Sequence, residues 1–238
     1  MSRIAIIGYG KMGQTIHKMA LAKGHEVPLT IDVNTDHSLD DLDQSIDVAI
    51  EFTRPDSAFS NLKACLEKGI PVVCGTTGWL DNLDEIHQLC HTTKGAFFYA
   101  SNYSVGVNIF FALSDYLAGR MDAFAEYEVD LKEIHHTQKL DAPSGTAITL
   151  AQGILKALDR KEQWIGQANG NSSDLVIQSE RIEDTPGTHM ITYKSEIDAI
   201  EIKHTAFSRK GFASGALTAA EWLIGKQGIF SMRDLLGF

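Results

Sequence analysis

The sequence is short of cysteine, of long apolar runs and of clustered positive charge, and each shortage excludes a class of protein. Its 238 residues include 3 cysteines, Cys65, Cys74 and Cys90, with no CxxC pair, which argues against a disulfide framework or a structural zinc site. No apolar run approaches the roughly 18–20 residues that cross a bilayer, and no signal-peptide pattern opens the chain. The net charge is −10 without a block of Lys and Arg, which disfavours duplex nucleic acid as a partner. We therefore expect a soluble, cytoplasmic protein, enzyme or not.

The first hundred residues alternate short apolar runs with stretches typical of helices. Strands separated by helices indicate βαβ units and a parallel sheet with helices on both faces. This alternation predicts an α/β fold with a Rossmann-type doubly wound parallel sheet. The predicted strands lie at residues 3–7, 27–31, 46–52, 71–74 and 96–99, and the predicted helices at about 11–23, 55–68 and 83–91.

Beyond residue 120 the pattern changes to strands with one polar face. Apolar and charged residues alternate around 127–131 and again around 200–203. A period of two with one polar face indicates an open mixed or antiparallel sheet. We expect a second α+β domain with such a sheet, with helices at 144–158 and 214–224 and a surface loop at 167–174.

A glycine-rich turn follows the first predicted strand and opens a helix. Gly8-x-Gly10-x-x-Gly13 lets the backbone turn tightly and approach a pyrophosphate, which the helix N-terminus attracts. Asp32 ends the second strand, 19 residues after Gly13, where a carboxylate can bind the adenosine ribose. This combination predicts dinucleotide binding. The carboxylate would repel a 2′-phosphate and no arginine follows it, so NADH is favoured over NADPH, although Lys11 could reach toward this region.

Two further loops follow predicted parallel strands at the edge where ligands bind in this architecture. Each alone is typical of an ordinary turn, but two at equivalent strand ends favour a role beside the nicotinamide. They are Gly75, Thr76, Thr77 and Gly78 after the fourth strand, and Ala100, Ser101, Asn102 and Tyr103 after the fifth.

Residues 133–147, EIHHTQKLDAPSGTA, combine proton donors with a helix start. His135 and His136 are adjacent, Lys139 follows, and Ser144 opens a helix whose N-terminus can hold a carboxylate. A capped helix after a strand with two surface histidines is the plain alternative. The run of His-His-x-x-Lys into Pro-Ser-Gly-Thr favours a site for an acidic substrate.

This segment resembles the signature of the dihydrodipicolinate reductase family, the 4-hydroxy-tetrahydrodipicolinate reductases of bacterial lysine biosynthesis. The likeness extends over the chain through GYGKMG, EFTRP at 51–55, GTTG at 75–78, SNYSVGVN at 101–108 and KHTAFSRKGFASGA at 203–216. The His-His and Pro-Ser-Gly-Thr segment is highly specific, whereas the glycine turn is not. The resemblance implies reduction of 4-hydroxy-tetrahydrodipicolinate to tetrahydrodipicolinate by NAD(P)H in the diaminopimelate route.

The resemblance also implies roles for individual residues. His135 matches the catalytic acid/base and Lys139 a second proton donor, while His136, Gly145 and Thr146 match residues that hold the dicarboxylate. The implied cofactor-binding residues are Gly8, Tyr9, Gly10, Lys11, Met12, Gly13, Asp32, Gly75, Thr76, Thr77, Ala100, Ser101, Asn102, Tyr103 and Arg209. No metal is implied.

The family typically forms homotetramers through the sheet of the second domain. We accordingly expect a dinucleotide-binding domain over 1–103 and 209–238, and a domain for substrate binding and oligomerisation over 104–208. The substrate is expected to lie between these domains. The sequence departs from the family in a glycine turn one residue shorter than Gly-x-Gly-Gly-x-Met-Gly, and in Gln138, where a basic residue is frequent.

Two other functions fit parts of this pattern. A related imine or semialdehyde reductase would keep the cofactor and change the substrate, but a thioester mechanism needs a nucleophilic cysteine, and the three cysteines lie in predicted strands or helices. A sensor that binds NADH without chemistry would need no proton donors, so the His-His-x-x-Lys pattern disfavours it.

Overall fold

The computed structural model describes residues 1–166, 170–208 and 210–238 and divides into two compact units. Unit 1 comprises Met1–Val105 and Lys210–Phe238, and unit 2 comprises Gly106–Arg209. Unit 1 contains strands β1 (Arg3–Ile7), β2 (Glu26–Ile31), β3 (Val48–Glu51), β4 (Val72–Cys74), β5 (Ala96–Tyr99) and β11 (Gly228–Phe230), with helices α1 (Lys11–Ala22), α2 (Pro55–Glu67), α3 (Leu83–Thr93), α6 (Lys210–Leu223) and α7 (Met232–Leu236).

The sheet of unit 1 is parallel throughout and runs in the order β11-β5-β4-β3-β1-β2. Its strands are mostly apolar because helices cover both faces, with charged residues at strand ends such as Arg3, Glu26 and Glu51. Helices α2 and α3 bury Leu62, Leu66 and Ile86 on one face. Helices α1 and α6 bury Ile16 and Leu217 on the other. The predicted doubly wound parallel sheet is confirmed.

Unit 2 is built on a mixed sheet in the order β10-β9-β6-β8-β7. Strand β9 is antiparallel to β6 and β10, whereas β6, β8 and β7 are parallel. The predicted open mixed sheet is therefore also confirmed. The elements are α4 (Val105–Met121), β6 (Glu128–His135), α5 (Gly145–Ala157), β7 (Gln163–Ile165), β8 (Asp174–Arg181), β9 (Gly187–Lys194) and β10 (Ala199–Ala206).

Several local features differ from the sequence-based expectations. Helix α4 and strands β7, β8, β9 and β11 were not predicted. Of the loop expected at 167–174, residues 167–169 lie outside the described part of the chain. Asp174 is not a surface-loop residue, because it begins β8 and is 6% exposed, with its carboxylate bound by the side-chain nitrogen of Gln163 and the backbone of Asn171. Among the described helices, none is long and apolar enough to span a bilayer.

Candidate active site

The glycines of the turn between β1 and α1 serve different purposes. Gly8 has a φ of +93°, and a Cβ there would overlap the carbonyl oxygen of Phe52. A Cβ on Gly13 would overlap the carbonyl oxygen of Gly8. Gly10 caps the N-terminus of α1, and no described atom lies within 4 Å of where its Cβ would stand. Two glycines thus permit close packing within the protein, and the third leaves open space at a helix N-terminus, where a pyrophosphate binds.

Asp32 is connected directly to this turn. Its Oδ2 accepts a hydrogen bond of 2.7 Å from the backbone nitrogen of Tyr9. The Tyr9 hydroxyl in turn lies 2.7 Å from Nδ1 of His17 on α1. The carboxylate is therefore held at the end of β2 with its other oxygen available to a ribose hydroxyl.

A cavity of about 710 Å³ opens beside Gly8, Gly10 and Asp32. Its volume suits a nucleotide-sized ligand. Two carboxylates, Asp32 and Asp40, line it, together with the exposed Arg54. Hydroxyl and amide groups complete the polar part of the lining, from Ser38, Thr53, Ser57 and Asn61.

A buried carboxylate under the strand ends was missed by the sequence analysis. Glu51, at the end of β3, is 0% exposed and accepts hydrogen bonds from Thr53, Thr76 and Cys74. The Thr76 hydroxyl also accepts from the backbone nitrogen of Thr53 at 2.8 Å. The side chain of Thr76 therefore joins two strand-end loops, while the neighbouring Thr77 is exposed.

The loop after β5 contacts the core through its last residue. Tyr103 is 1% exposed and donates a hydrogen bond of 2.6 Å to the carbonyl oxygen of Cys74. A cofactor can therefore meet Tyr103 only through its backbone. Ser101 is exposed, and Oδ1 of Asn102 accepts from the backbone nitrogen of Ser104. Arg209 lies outside the described residues.

In unit 2, β6 ends at His135, so His136 lies beyond the strand. His135 is 7% exposed. His136 lines a cavity of about 330 Å³ with Gln138 and Asp184. The two histidines thus have different surroundings.

Lys139 and the start of α5 are tied to β6 through Arg181 and Glu133. The Arg181 guanidinium donates to the carbonyl oxygens of Lys139 and Asp141 and lies 3.6 Å from Oε1 of Glu133. Glu133 accepts two hydrogen bonds of 3.1 Å from the backbone nitrogen of Ser144, the residue that caps α5. Lys139 itself bonds the Asp141 carboxylate at 2.8 Å.

Glu133, whose role the sequence analysis did not assign, therefore connects His135 with the N-terminus of α5 and, through Arg181, with the backbone at Lys139. Gly145 and Thr146 are the first residues of α5, directly after Ser144. Buried carboxylates need partners, and these partners come from β8, β9 and α5, which no local motif brings together.

The cysteines lack the features of a catalytic nucleophile. All three are buried. Burial raises the pKa of Cys65 to about 12 and raises those of Cys74 and Cys90 as well, so the thiols stay protonated. This chemistry disfavours a thioester mechanism.

A doubly wound parallel sheet with this glycine turn, in a chain that also carries His135 and Lys139 beside a helix N-terminus, defines a nicotinamide-dependent oxidoreductase. Family models for the N-terminus and the C-terminus of dihydrodipicolinate reductase match residues 2–103 and 106–236. The chain belongs to the dihydrodipicolinate reductase family.

Proteins named 4-hydroxy-tetrahydrodipicolinate reductase are similar to this chain over nearly its whole length. A 4-hydroxy-tetrahydrodipicolinate reductase of Christiangramia forsetii is 49% identical over 235 residues, covering 98% of this chain and 97% of the relative. That of Neisseria meningitidis is 34% identical over 227 residues, covering 92% and 83%. The dipicolinate-bound dihydrodipicolinate reductase of Paenisporosarcina has the same fold, with a TM-score of 0.77 at 24% identity, covering 98% of this chain and 99% of that one.

Proposed function

We propose that this protein reduces 4-hydroxy-tetrahydrodipicolinate to tetrahydrodipicolinate with NAD(P)H, in the diaminopimelate route of lysine biosynthesis. The observation that carries the proposal is the arrangement around Glu133. It connects His135, the N-terminus of α5 and, through Arg181, the segment of Lys139. Glu133 thus connects the candidate proton donors with a helix N-terminus that can bind an anion. Reduction of a cyclic dicarboxylate requires both kinds of group.

The residues of unit 1 fit a dinucleotide. The open space at Gly10 lets a pyrophosphate approach the N-terminus of α1, and Asp32 can bind the adenosine ribose. When bound, the reduced cofactor supplies the hydride. We assign cofactor binding to Gly8, Tyr9, Gly10, Lys11, Met12, Gly13, Asp32, Gly75, Thr76, Thr77, Ala100, Ser101, Asn102, Tyr103 and Arg209, with Gly13, Thr76 and Tyr103 acting through the shape of their loops.

We assign binding of the substrate and protonation of its ring to residues of unit 2. The cyclic substrate loses water to give a conjugated imine, which accepts hydride at ring C4, and the ring then takes up one proton as electron density moves toward its nitrogen. We assign donation of that proton to His135. Lys139 stabilises the developing negative charge and is a second donor. His136, Gly145 and Thr146 hold the carboxylates.

NADH is the cofactor that we favour. Asp32 and Asp40 both line the cavity, so a 2′-phosphate would meet two negative charges. Arg54 lines the same cavity but lies 3.6 Å from the Asp56 carboxylate, which competes for its charge.

A homotetramer in the cytoplasm is the assembly that we propose. Strand β10 is an edge strand, and Ile200 on it is 40% exposed. An exposed strand edge is a ready surface for pairing with another copy. The cytoplasmic location follows from the biosynthetic role.

The test is oxidation of NADH and of NADPH with the substrate made in place from pyruvate and aspartate semialdehyde by a synthase. We expect oxidation that depends on the synthase, with the larger kcat/KM for NADH. His135→Ala should lose turnover while its affinity for NADH is unchanged. The control is His91→Ala, in the last turn of α3. This turn lies at the opposite edge of the sheet from the strand ends that bind cofactors. Binding of NADH without oxidation would instead identify a sensor.

A further inference from the structure

The Glu133 carboxylate lies between two sets of partners that the strand register places around it. In the sheet, Glu133 is paired with Ser179 on β8 and with His189 on β9. His135 is two residues further along β6, so its side chain is on the same face as that of Glu133. Strand β8, parallel to β6, thus places the Ser179 hydroxyl beside the buried Glu133 carboxylate, and the antiparallel β9 places the His189 imidazole there.

The two oxygens of this carboxylate have different environments. Oε1 accepts from Ser179 Oγ at 2.8 Å and lies 3.6 Å from the Arg181 guanidinium. Oε2 lies 3.4 Å from Nδ1 of His135 and 3.7 Å from Nε2 of His189. The Ser144 backbone nitrogen lies 3.1 Å from both oxygens, so the difference between them is that Ser179 and Arg181 lie on the Oε1 side and the two histidines on the Oε2 side.

The charges around this site favour a permanently ionised Glu133. Burial alone would raise its pKa, but contacts with His135, His189, Ser144 and Ser179 outweigh burial and hold the pKa far below the ordinary value. Burial lowers the pKa of His189, so this imidazole is neutral near pH 7. Glu133 therefore supplies one fixed negative charge beside His135.

The His135 ring has one end that faces the carboxylate and one that is kept open. Nδ1 is buried and has no hydrogen-bond partner among the described residues, and the Glu133 oxygen is 3.4 Å from it. A Cβ on Gly187 would come within 3.1 Å of Nε2. The glycine thus preserves room at the nitrogen opposite to the carboxylate.

We infer that Glu133 is a positioning residue, which keeps the proton of His135 on Nδ1 and directs Nε2 toward the substrate. The inference rests on the proposed role of His135. A carboxylate 3.4 Å from one imidazole nitrogen favours the tautomer that carries its proton on that nitrogen and orients the ring. Glu133 itself does not touch the substrate.

The first test needs no activity. In protein labelled with nitrogen-15 histidine, we expect the neutral ring of His135 to carry its proton on Nδ1, and Glu133→Gln to shift that proton toward Nε2. The His135 signals are identified as those absent from His135→Asn. An Nε2–H tautomer in the wild-type protein would overturn the inference even if the reductase activity were present.

The second test separates positioning from a purely structural role. In Glu133→Gln we expect kcat to fall about 10- to 100-fold, as for other groups that orient a catalytic side chain, with little change in KM for the substrate.

The matched control is Glu180→Gln. Glu180 pairs with Ile134 in the register, hence on the opposite face of the same two strands, and its carboxylate is 2.6 Å from Lys132 Nζ. We expect its kcat, its KM and the tautomer of His135 to match the wild type. Equal losses in both variants would reduce Glu133 to a structural residue.

Binding of a metal ion is an alternative role for the side chains of Glu133, His135 and His189. Ligand atoms of Glu133, His135 and His189 lie within 4.8 Å of one another. We expect purified protein to keep its activity and its His135 tautomer in a chelator. A stoichiometric metal, with activity lost on chelation, would overturn the positioning role. If the protein shows no reductase activity at all, the proposed function fails, while the tautomer measurement still decides the inference.

Discussion

Replacing Gly10 with alanine should weaken cofactor binding without unfolding the protein. Gly10 has φ −74° and ψ −162°, which alanine also adopts, and no described atom lies within 4 Å of the added methyl. The change from glycine to alanine stabilises the folded protein by about 0.4–1 kcal/mol, because it lowers the conformational entropy of the unfolded chain. Alanine is also a poorer N-cap residue than glycine, and this loss offsets a similar amount of free energy. The free energy of unfolding should therefore change by less than about 1 kcal/mol.

The same methyl stands where the pyrophosphate must approach the backbone. Forcing one extra carbon into a tight contact costs about 1–3 kcal/mol. This corresponds to an increase of roughly 5- to 150-fold in Kd for NADH. Fluorescence titration with NADH measures it on the same samples that are used for urea unfolding.

Gly8→Ala should show the opposite behaviour, because its methyl would overlap the carbonyl oxygen of Phe52 and its φ of +93° is unfavourable for alanine. Gly24→Ala is the matched control. Gly24 has a φ of +83° with no described atom near its Cβ position, so this variant measures the cost of the conformation alone, about 1–3 kcal/mol. Gly8→Ala should lose more than Gly24→Ala. Wild-type NADH affinity in Gly10→Ala, or unfolding of that variant like Gly8→Ala, would refute the reasoning.

Three further outcomes follow from buried groups. Cys65 should resist alkylation in the native protein at pH 8 and react on unfolding, because burial raises its pKa to about 12; rapid labelling of the folded protein would contradict this. The urea concentration at the unfolding midpoint should fall as the pH drops below 6.5, because His189 takes up a proton more readily in the unfolded chain than in the folded one. It should fall again below pH 4.5, because Glu133 is protonated in the unfolded chain while it is still ionised in the folded one. A midpoint that is flat from pH 8 to pH 3 would be inconsistent with both shifts. Tyr103→Phe should cost about 0.5–1.5 kcal/mol of stability by removing the shorter of two hydrogen bonds to the Cys74 carbonyl oxygen, which keeps the one from the Ala100 backbone nitrogen, while NADH affinity stays unchanged; weaker binding at unchanged stability would instead place the hydroxyl on the cofactor.

The parallel sheet could be predicted from the sequence because its strands are buried on both faces. Strands such as β1 and β3 are continuous apolar runs, and their helices begin and end at recognisable residues such as Pro55. Helix α4 was missed since Ile109 and Leu113 are exposed apolar residues, so its apolar positions do not mark a single face. Strand β8 was missed since its second half, QSER, is entirely polar, and β9 was missed since polar and apolar residues are mixed along it, as in HMITYK.

The candidate site could be predicted where one segment carries several chemical groups. His135, Lys139 and Ser144 lie within ten residues, and a motif of this length is visible without a structure. Glu133 belongs to the same segment, but its importance depends on Arg181 and His189, which arrive from other strands. The alternation that starts at Val129 and Leu131 reaches Glu133 next, so the period of two puts Glu133 on the buried face. Which partners stabilise its charge there is visible only from the strand pairing.

The division of unit 1 between the two ends of the sequence has a consequence for synthesis on the ribosome. Strands β1 to β5 emerge early, but α6, which together with α1 covers one face of their sheet, is made only after all of unit 2. Until then Val48, Ile50 and Val73 lack the apolar residues that α6 adds to their cluster, among them Ala216 and Leu217. The nascent chain therefore carries an unfinished hydrophobic surface while unit 2 is translated, the condition under which chaperones bind and stalled chains aggregate.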